Sequence, residues 1–402
     1  MMAPTIRQAV VLVGGRGTRL GDLARDTPKP LMPIEGDRRF LDYLVENIAR
    51  HSLEEILLIA GHLGDQIEDR YQGRRIHGAE VVVVREPEAA GTAGALVHAA
   101  DRLDEVFLMA NGDSWFDFNY LALATALGAD DEGALALRRV EDARRYGRVD
   151  HRNGRVIAFR EKDESLSGPA WISGGVYLLR RSVLERIKAL PCSIESEIFP
   201  ALTAEGRLAA IGFDGDFIDI GLPDTLAQAQ AEIPRMARRP AVFFDRDGTL
   251  NLDAGYTHRV EDLHWTPGAI AAIRAVNDAG RFCIVVTNQA GVARGLYDEA
   301  DMDAFHAEMR AVLARHGAHI DAIYHCPFHA EAAVEKWRHP DHPDRKPNPG
   351  MIERAIADWP IERQASLLIG DRDLDLEAAR RAGLRGVLYE GGDLAALVRA
   401  NL

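Results

Sequence analysis

With 402 residues, 47% of them hydrophobic and 27% charged, the chain has the composition of packed protein and is long enough for two domains. A net charge of −14 opposes nonspecific binding to nucleic acid or an anionic membrane, so a phosphorylated substrate must be held by local cationic sites. Three cysteines, Cys192, Cys283 and Cys326, argue against a disulfide framework and for a reducing cytoplasm, and no run approaches the ~18 unbroken apolar residues of a membrane span.

The opening MMAPTIRQAVVLVGG runs straight into an apolar segment and a glycine loop, which predicts no secretory signal. Up to about residue 235 the runs QAVVLV, EEILLIA, AEVVVV, EVFLMA, GALALRRV and WISGGVYLLR read as strands between amphipathic stretches, predicting an α/β unit with a mainly parallel sheet. The first strand ends in VGGRGTRL, followed by TPKPLMPI. Gly14, Gly15 and Gly17 let backbone N–H groups approach a triphosphate, Arg19 adds charge, and Lys29 can neutralise charge developing in phosphoryl transfer. The loop is neither a P-loop nor a dinucleotide fingerprint, and alone it is weak.

Further along come EPEAAGTAGAL at 86–96, NGD with Asp113 after a strand, FREK at 159–162, SGGVYLL at 173–179 and FIDIGLP with Asp219. With the glycine loop, this set resembles the sugar-1-phosphate nucleotidyltransferase family from residue 8 to about 230. The resemblance implies that Gly14, Gly15, Gly17, Thr18 and Arg19 hold the nucleotide, aided by Gly91 and Gly94, and that Lys29 is catalytic at the phosphates. It also implies that Asp113 and Asp219 bind Mg²⁺ and that Glu161, Lys162 and Gly175 face the sugar phosphate. In that reaction a sugar-phosphate oxygen attacks the α-phosphorus of a nucleoside triphosphate and pyrophosphate leaves. Blander readings stand beside these: Asp113 closing a turn, Asp219 capping a loop, Gly91 and Gly94 packing a helix start. His62 is assigned no role.

Two prolines and an arginine cluster in EIPRMARRP, residues 232–240, place a boundary at about 236, giving domains 1–235 and 236–402. A second α/β series follows, with strands AVFFD, RFCIVVTN, HIDAIYHC, SLLIGD and RGVLYE and a helix in DMDAFHAEMRAVLARHG.

DRDGTLN at 245–251 puts two carboxylates two positions apart where a strand ends. One of Asp245 and Asp247 can attack phosphorus while both help hold Mg²⁺, and the other can protonate the leaving oxygen and later activate water. Thr287 and Asn288 end a second strand with a hydroxyl and an amide able to hold a phosphoryl oxygen. Lys346 in DRKPNPG supplies a fixed cation, and Asp371 in LLIGDRDLD a further metal ligand. The competing reading of DRDGT alone is a calcium-like acidic loop or a solvated turn.

DRDGTLN, VTNQAGVARG, YHCPFH, RKPNPGM and GDRDLD together resemble the haloacid-dehalogenase superfamily, and within it the heptose 1,7-bisphosphate phosphatases, over residues 240–390. The resemblance implies Asp245 as nucleophile, Asp247 as acid/base, Thr287 and Lys346 as phosphate holders, Mg²⁺ on Asp245, Asp247 and Asp371, and Arg294 and Arg345 on the rest of the phosphosugar. Asp375 buttresses the loop and Asp373 has no role. The family's zinc loop, C-x-H then C-x-C, is altered: Phe328 stands in the histidine place, and His342 and Asp344 stand near the later cysteines. Cys326, His329, His339 and His342 can rebuild a zinc site, but Pro340, Pro343 and the changed spacing favour its loss.

The fold expected is therefore α/β with two domains, a Rossmann-like nucleotidyltransferase followed by a Rossmann-like haloacid-dehalogenase fold. A phosphatase that releases heptose 1-phosphate yields the substrate class that such a transferase activates, with GTP the preferred donor. The alternatives are another phosphosugar, or a nucleotide-sensing first half. Oligomeric state is left open.

Overall fold

The structure is a computed structural model that describes residues 4–15, 17–144, 147–160 and 168–402. It divides into two compact units, Met1–Met236 and Ala237–Leu402.

In the first unit Val106–Asn111, Gln8–Leu12, Glu55–Ala60 and Ala79–Arg85 lie side by side in parallel, with Val11 opposite Leu58 on one side and Ala110 on the other. Their near-continuous apolar sequences suit strands covered on both faces. Beyond them the sheet turns mixed: Ala170–Arg180 runs antiparallel to both Val106–Asn111 and Gly133–Val140, and the hairpin Arg148–Arg152/Arg155–Arg160 closes the edge. This departs from the mainly parallel sheet expected, because apolar runs such as WISGGVYLLR mark a strand but not its direction. Val10, Leu57, Phe107, Met109, Leu135, Tyr177 and Phe199 form the core, each large side chain contributing about 1.5–3 kcal/mol by leaving water.

Two connections set the first unit's site. Gln8–Leu12 runs out into Gly14, and Val106–Asn111 runs out into Asp113. The next strand, Ser114–Phe116, pairs antiparallel with Phe217–Asp219 in a register that puts Asp219 opposite Ser114. Residues 105 positions apart in the chain thereby share one end of the sheet.

The second unit is a five-stranded parallel sheet in the order Ala322–Cys326, Phe282–Asn288, Ala241–Phe244, Leu367–Gly370, Arg385–Leu388. Every residue of the central strand AVFF is buried. Helices Ala269–Asp278, Glu299–Ala314 and Leu394–Arg399 cover one face, and Gly350–Asp358 and Asp373–Arg381 the other. Glu299–Ala314 starts where Asp298 accepts from the Asp301 backbone N–H and Asp301 returns the bond, satisfying two otherwise unpaired donors. Asp245, Thr287 and Asp371 each sit at or just beyond the carboxyl end of one of the three central strands, where parallel α/β sheets bind ligands.

Candidate active sites

In the second unit Asp245, Asp247, Thr287, Asn288, Arg294, Arg345 and Lys346 line one cleft of about 310 Å³. The Lys346 ammonium pairs with Asp245 Oδ1 at 2.7 Å and with Asp375 Oδ1 at 2.6 Å. Burial drives the Asp245 carboxyl up to about 7; Lys346 pulls it down, and the charges of Asp375 and Asp247 push it further up. Lys346 is shifted upward by its two carboxylate partners, against the opposing effect of its burial.

Carboxylate oxygens of Asp245, Asp371 and Asp375 lie within 4.8 Å of one another, a hard-oxygen set that fits Mg²⁺. Gly248 is required beside it: its φ is +87°, and a Cβ there would strike the Asp371 carboxylate. Two expected residues stand beside this cluster. The Asp247 side chain stands outside this group and is held by Arg246, through Nε to Oδ1 and Nη2 to Oδ2, each at 2.9 Å. Asp375 is more than a loop buttress, since it completes the carboxylate cluster and clamps Lys346 as well as accepting from the Arg372 backbone N–H. Asp373 is exposed at the start of its helix.

Asn288 is bonded to the same lysine. Its amide donates to the Lys346 carbonyl at 3.1 Å and accepts from the Lys346 N–H at 3.0 Å, so it fixes the lysine's backbone as well as lining the cleft. Thr287 is buried and accepts from Gln289 Nε2 at 2.8 Å. Arg345 donates to the Phe328 carbonyl, and Arg294 lies 5.8 Å from the Tyr256 ring. Arg372, Tyr256 and Gln289 join the cleft lining, with Arg246 bonded to Gln289; all but Tyr256 stand in the quoted motifs, yet none was given a role, because each is defined by what it touches.

The loop after Cys326 is organised by rings. Phe328 stacks on His342 at 3.8 Å between centroids, and His339 meets His342 edge-on at 5.1 Å. The Nδ1 atoms of His329, His339 and His342 each accept a backbone N–H two residues on, and the Cys326 sulfur lies 4.0 Å from His342 Nδ1.

In the first unit a cleft of about 300 Å³ is lined by Gly14, Gly15, Lys29, Glu86, Gly91 and Asp113, among others. Lys29 Nζ lies 2.5 Å from Asp113 Oδ2 and 3.9 Å from Asp219 Oδ1. Burial and the charge of Asp113 raise the Asp219 carboxyl, partly offset by Lys29, the Gly221 N–H and Arg19. Asp113 lines the cleft and Asp219 lies on the far side of Lys29 from it, two carboxylates whose charge fits a divalent cation. Arg19 converges on them as well: a Cβ on Gly221 would lie 2.6 Å from Asp219 Oδ1, 3.5 Å from Lys29 Nζ and 3.6 Å from Arg19 Cζ.

Gly14 packs so tightly that a Cβ would lie 2.7 Å from Glu86 Oε2 and 2.9 Å from the Gly61 nitrogen. Gly17, just before the turn Thr18–Ala24, is left-handed at φ +60°. Gly91 lines the cleft and also abuts the Cys192 backbone, whereas Gly94 packs on Leu190 and Cys192, and its N–H is taken by the Cys192 carbonyl at 3.1 Å. For Gly94 the helix-start packing that the sequence also allows is present. Gly175 is left-handed beside Asn111, which lines the cleft, while Glu161 and Lys162 lie outside the described residues. Glu86, held where its Oε1 accepts from the Ala90 N–H at 2.6 Å, was not singled out from sequence.

No described helix is long and apolar enough to cross a membrane. A nucleotidyl transferase family model matches residues 8–235 and a HAD-hydrolase-like model matches residues 344–398. The D-glycero-beta-D-manno-heptose-1,7-bisphosphate 7-phosphatase of Rhodopseudomonas palustris is 44% identical over 166 residues, spanning 41% of this chain and 91% of its own. The D-glycero-D-manno-heptose-1,7-bisphosphate 7-phosphatase of Thermosynechococcus vestitus is 42% identical over 164 residues, spanning 38% and 80%. Among solved structures, HddC from Yersinia pseudotuberculosis, also solved in complex with GMP-PN, superposes with a TM-score of 0.51 at 28% identity, over 56% of this chain and 99% of its own. The chain thus belongs to the nucleotidyl transferase family through residues 8–235 and, through its C-terminal unit, to the HAD-like hydrolase family of these 7-phosphatases.

Proposed function

We propose that the chain is a bifunctional enzyme of nucleotide-activated heptose synthesis, with catalytic domains at 1–235 and 236–402. The second domain hydrolyses the 7-phosphate of D-glycero-D-manno-heptose 1,7-bisphosphate. The first joins the resulting heptose 1-phosphate to the nucleotidyl group of a triphosphate, releasing pyrophosphate. The observation that carries the reading is the clasp of Lys346 on Asp245, at 2.7 Å, in a cleft that also presents Arg294 and Arg345 to a second anionic group.

In the phosphatase Asp245 is the nucleophile, attacking as its carboxylate beside Lys346, and Asp247 moves the proton to the leaving oxygen. Thr287 and Lys346 hold the transferred phosphoryl group, and Arg294 and Arg345 the remainder of the phosphosugar. Asp245 and Asp371, with Asp375 beside them, would hold Mg²⁺, which would neutralise charge at the phosphoryl oxygens. The relatives' names support the heptose ester as substrate.

In the transferase the glycine loop and Arg19 orient the triphosphate, Lys29 faces the phosphates, and Asp113 and Asp219 hold Mg²⁺. Glu86 supports GTP as donor: guanine alone among the common bases offers two adjacent N–H donors, N1 and N2, that match one carboxylate. The GMP-PN complex of the HddC structure points the same way. A cytoplasmic location suits such soluble substrates and three cysteines that form no disulfide.

The test is mass spectrometry of products after incubation with heptose 1,7-bisphosphate, Mg²⁺ and all four triphosphates. GDP-heptose with inorganic phosphate and pyrophosphate is expected. Phosphate release without any nucleotide sugar, despite nucleotide binding, would sink the transferase and favour a sensor.

A further inference from the structure

Arg246, between the two motif aspartates, has none of its surface exposed. An unpaired guanidinium there would be costly by several kcal/mol, yet every face of this one is used. Besides both Asp247 oxygens it donates to the Thr257 carbonyl at 2.7 Å, to Gln289 Oε1 at 3.2 Å and to His306 Nε2 at 3.1 Å. The Phe305 ring lies 4.7 Å from its central carbon. His306 accepts as a neutral ring, since burial and the Arg246 charge push its pKa down to about 2.

Asp247 is equally committed. Asn251 Nδ2 donates to Oδ1 at 3.1 Å and Gln289 Nε2 to Oδ2 at 2.9 Å, so four donors occupy the two oxygens. A bidentate fork fixes the plane of a carboxylate, which a point charge does not. A purely structural arginine tying the loop at Thr257 to the helix at His306 has no need of this fork.

We propose that Arg246 is the positioning residue of the phosphatase, setting the plane in which Asp247 hands over and takes back its proton. This rests on the phosphatase reading above. In the first half-reaction an Asp245 oxygen bonds to phosphorus, the bond from phosphorus to the ester oxygen breaks with its electron pair on that oxygen, and the Asp247 carboxyl protonates it. In the second, a water oxygen bonds to phosphorus, its proton passes to the Asp247 carboxylate, and the bond to Asp245 breaks to restore the free carboxylate.

The signature depends on the leaving group. A sugar oxygen needs the proton to depart, whereas p-nitrophenolate does not, and both esters share the second half-reaction. Arg246→Met in the full chain is therefore expected to lower turnover of a sugar bisphosphate about 100-fold. With p-nitrophenyl phosphate it is expected to leave a rapid burst of about one p-nitrophenol per enzyme, followed by slow turnover. Arg246→Lys, which keeps charge without the fork, is expected to keep the burst. Equal losses on both esters with no burst, or no loss, overturn the proposal. Should Arg246→Met lack a cooperative unfolding transition, His306→Leu decides, since His306 touches Arg246 and not Asp247: a weaker burst is expected, and wild-type behaviour overturns the assignment. Wild-type protein that hydrolyses neither ester would instead remove the phosphatase reading on which the role depends.

Discussion

Asp245 carries a titration that links metal binding to pH. Its carboxyl is raised from an ordinary 3.8 to about 7, chiefly by burial. The unfolded chain loses this proton near pH 4, and the fold keeps it until about pH 7. In that window the folded state binds more protons, so stability falls as pH rises, by roughly 4 kcal/mol in all at about 1.36 kcal/mol per unit, and is flat above it. A cation that requires the ionised carboxylate must expel the proton below that pKa. Isothermal calorimetry with Mg²⁺ in two buffers of different ionisation enthalpy reads the released protons directly. At about pH 5.5 the wild type is expected to release roughly one more proton than Asp245→Asn, and above about pH 8 no more. The asparagine variant removes the contribution of the first unit's carboxylates. Equal proton release by the two proteins at the lower pH would refute both the raised pKa and the placement of metal on Asp245.

Other outcomes follow from single contacts. Lys29→Met, which strips the cation between Asp113 and Asp219, is expected to lower pyrophosphate release about 100- to 1,000-fold and to leave phosphate release unchanged, as read by parallel coupled assays. Gly248→Ala forces a side chain into the left-handed region, at about 1–2 kcal/mol, and against Asp371; phosphatase kcat is expected to fall about 100-fold, with weaker Mg²⁺ dependence in titrations. Glu86→Gln removes one of two matched acceptors, and the ratio of kcat/KM for GTP over ATP is expected to fall by roughly 10- to 100-fold, a change of about 1–3 kcal/mol; an unchanged ratio assigns base choice elsewhere.

Much of this was legible in the sequence because it follows from strand ends. AVFF, FCIVVTN and LLIG are short apolar runs whose next residues are chemical, and parallel sheets place such ends together without further information. What was not legible depends on pairing across the fold. Arg246 reads as one more surface charge until its burial shows the fork on Asp247, and Asn288 reads as a free amide until its two bonds to the Lys346 backbone are seen. Strand Leu208–Phe213 escaped because LAAIGF is short, and the hairpin at 148–160 because its alternation is mostly arginine and aspartate against solvent.

The two sites share a local device used in different ways: a lysine clamped between two aspartates. Lys29 bridges Asp113 and Asp219, whose side chains keep 32% and 27% of their exposure, so a cation arriving at the pair competes with the ammonium. In the proposed transfer that competition turns Lys29 toward the incoming phosphates. Lys346 has no such freedom, because Asp375 is wholly buried and holds it at 2.6 Å while Asn288 fixes its backbone from behind. A metal on Asp245 therefore leaves the second lysine anchored by Asp375, still beside the nucleophile and able to hold the phosphoryl oxygens throughout both half-reactions. The difference suits the chemistry proposed for each site: one donor is met once and released, whereas a covalent phosphoaspartate must be steadied until water removes it.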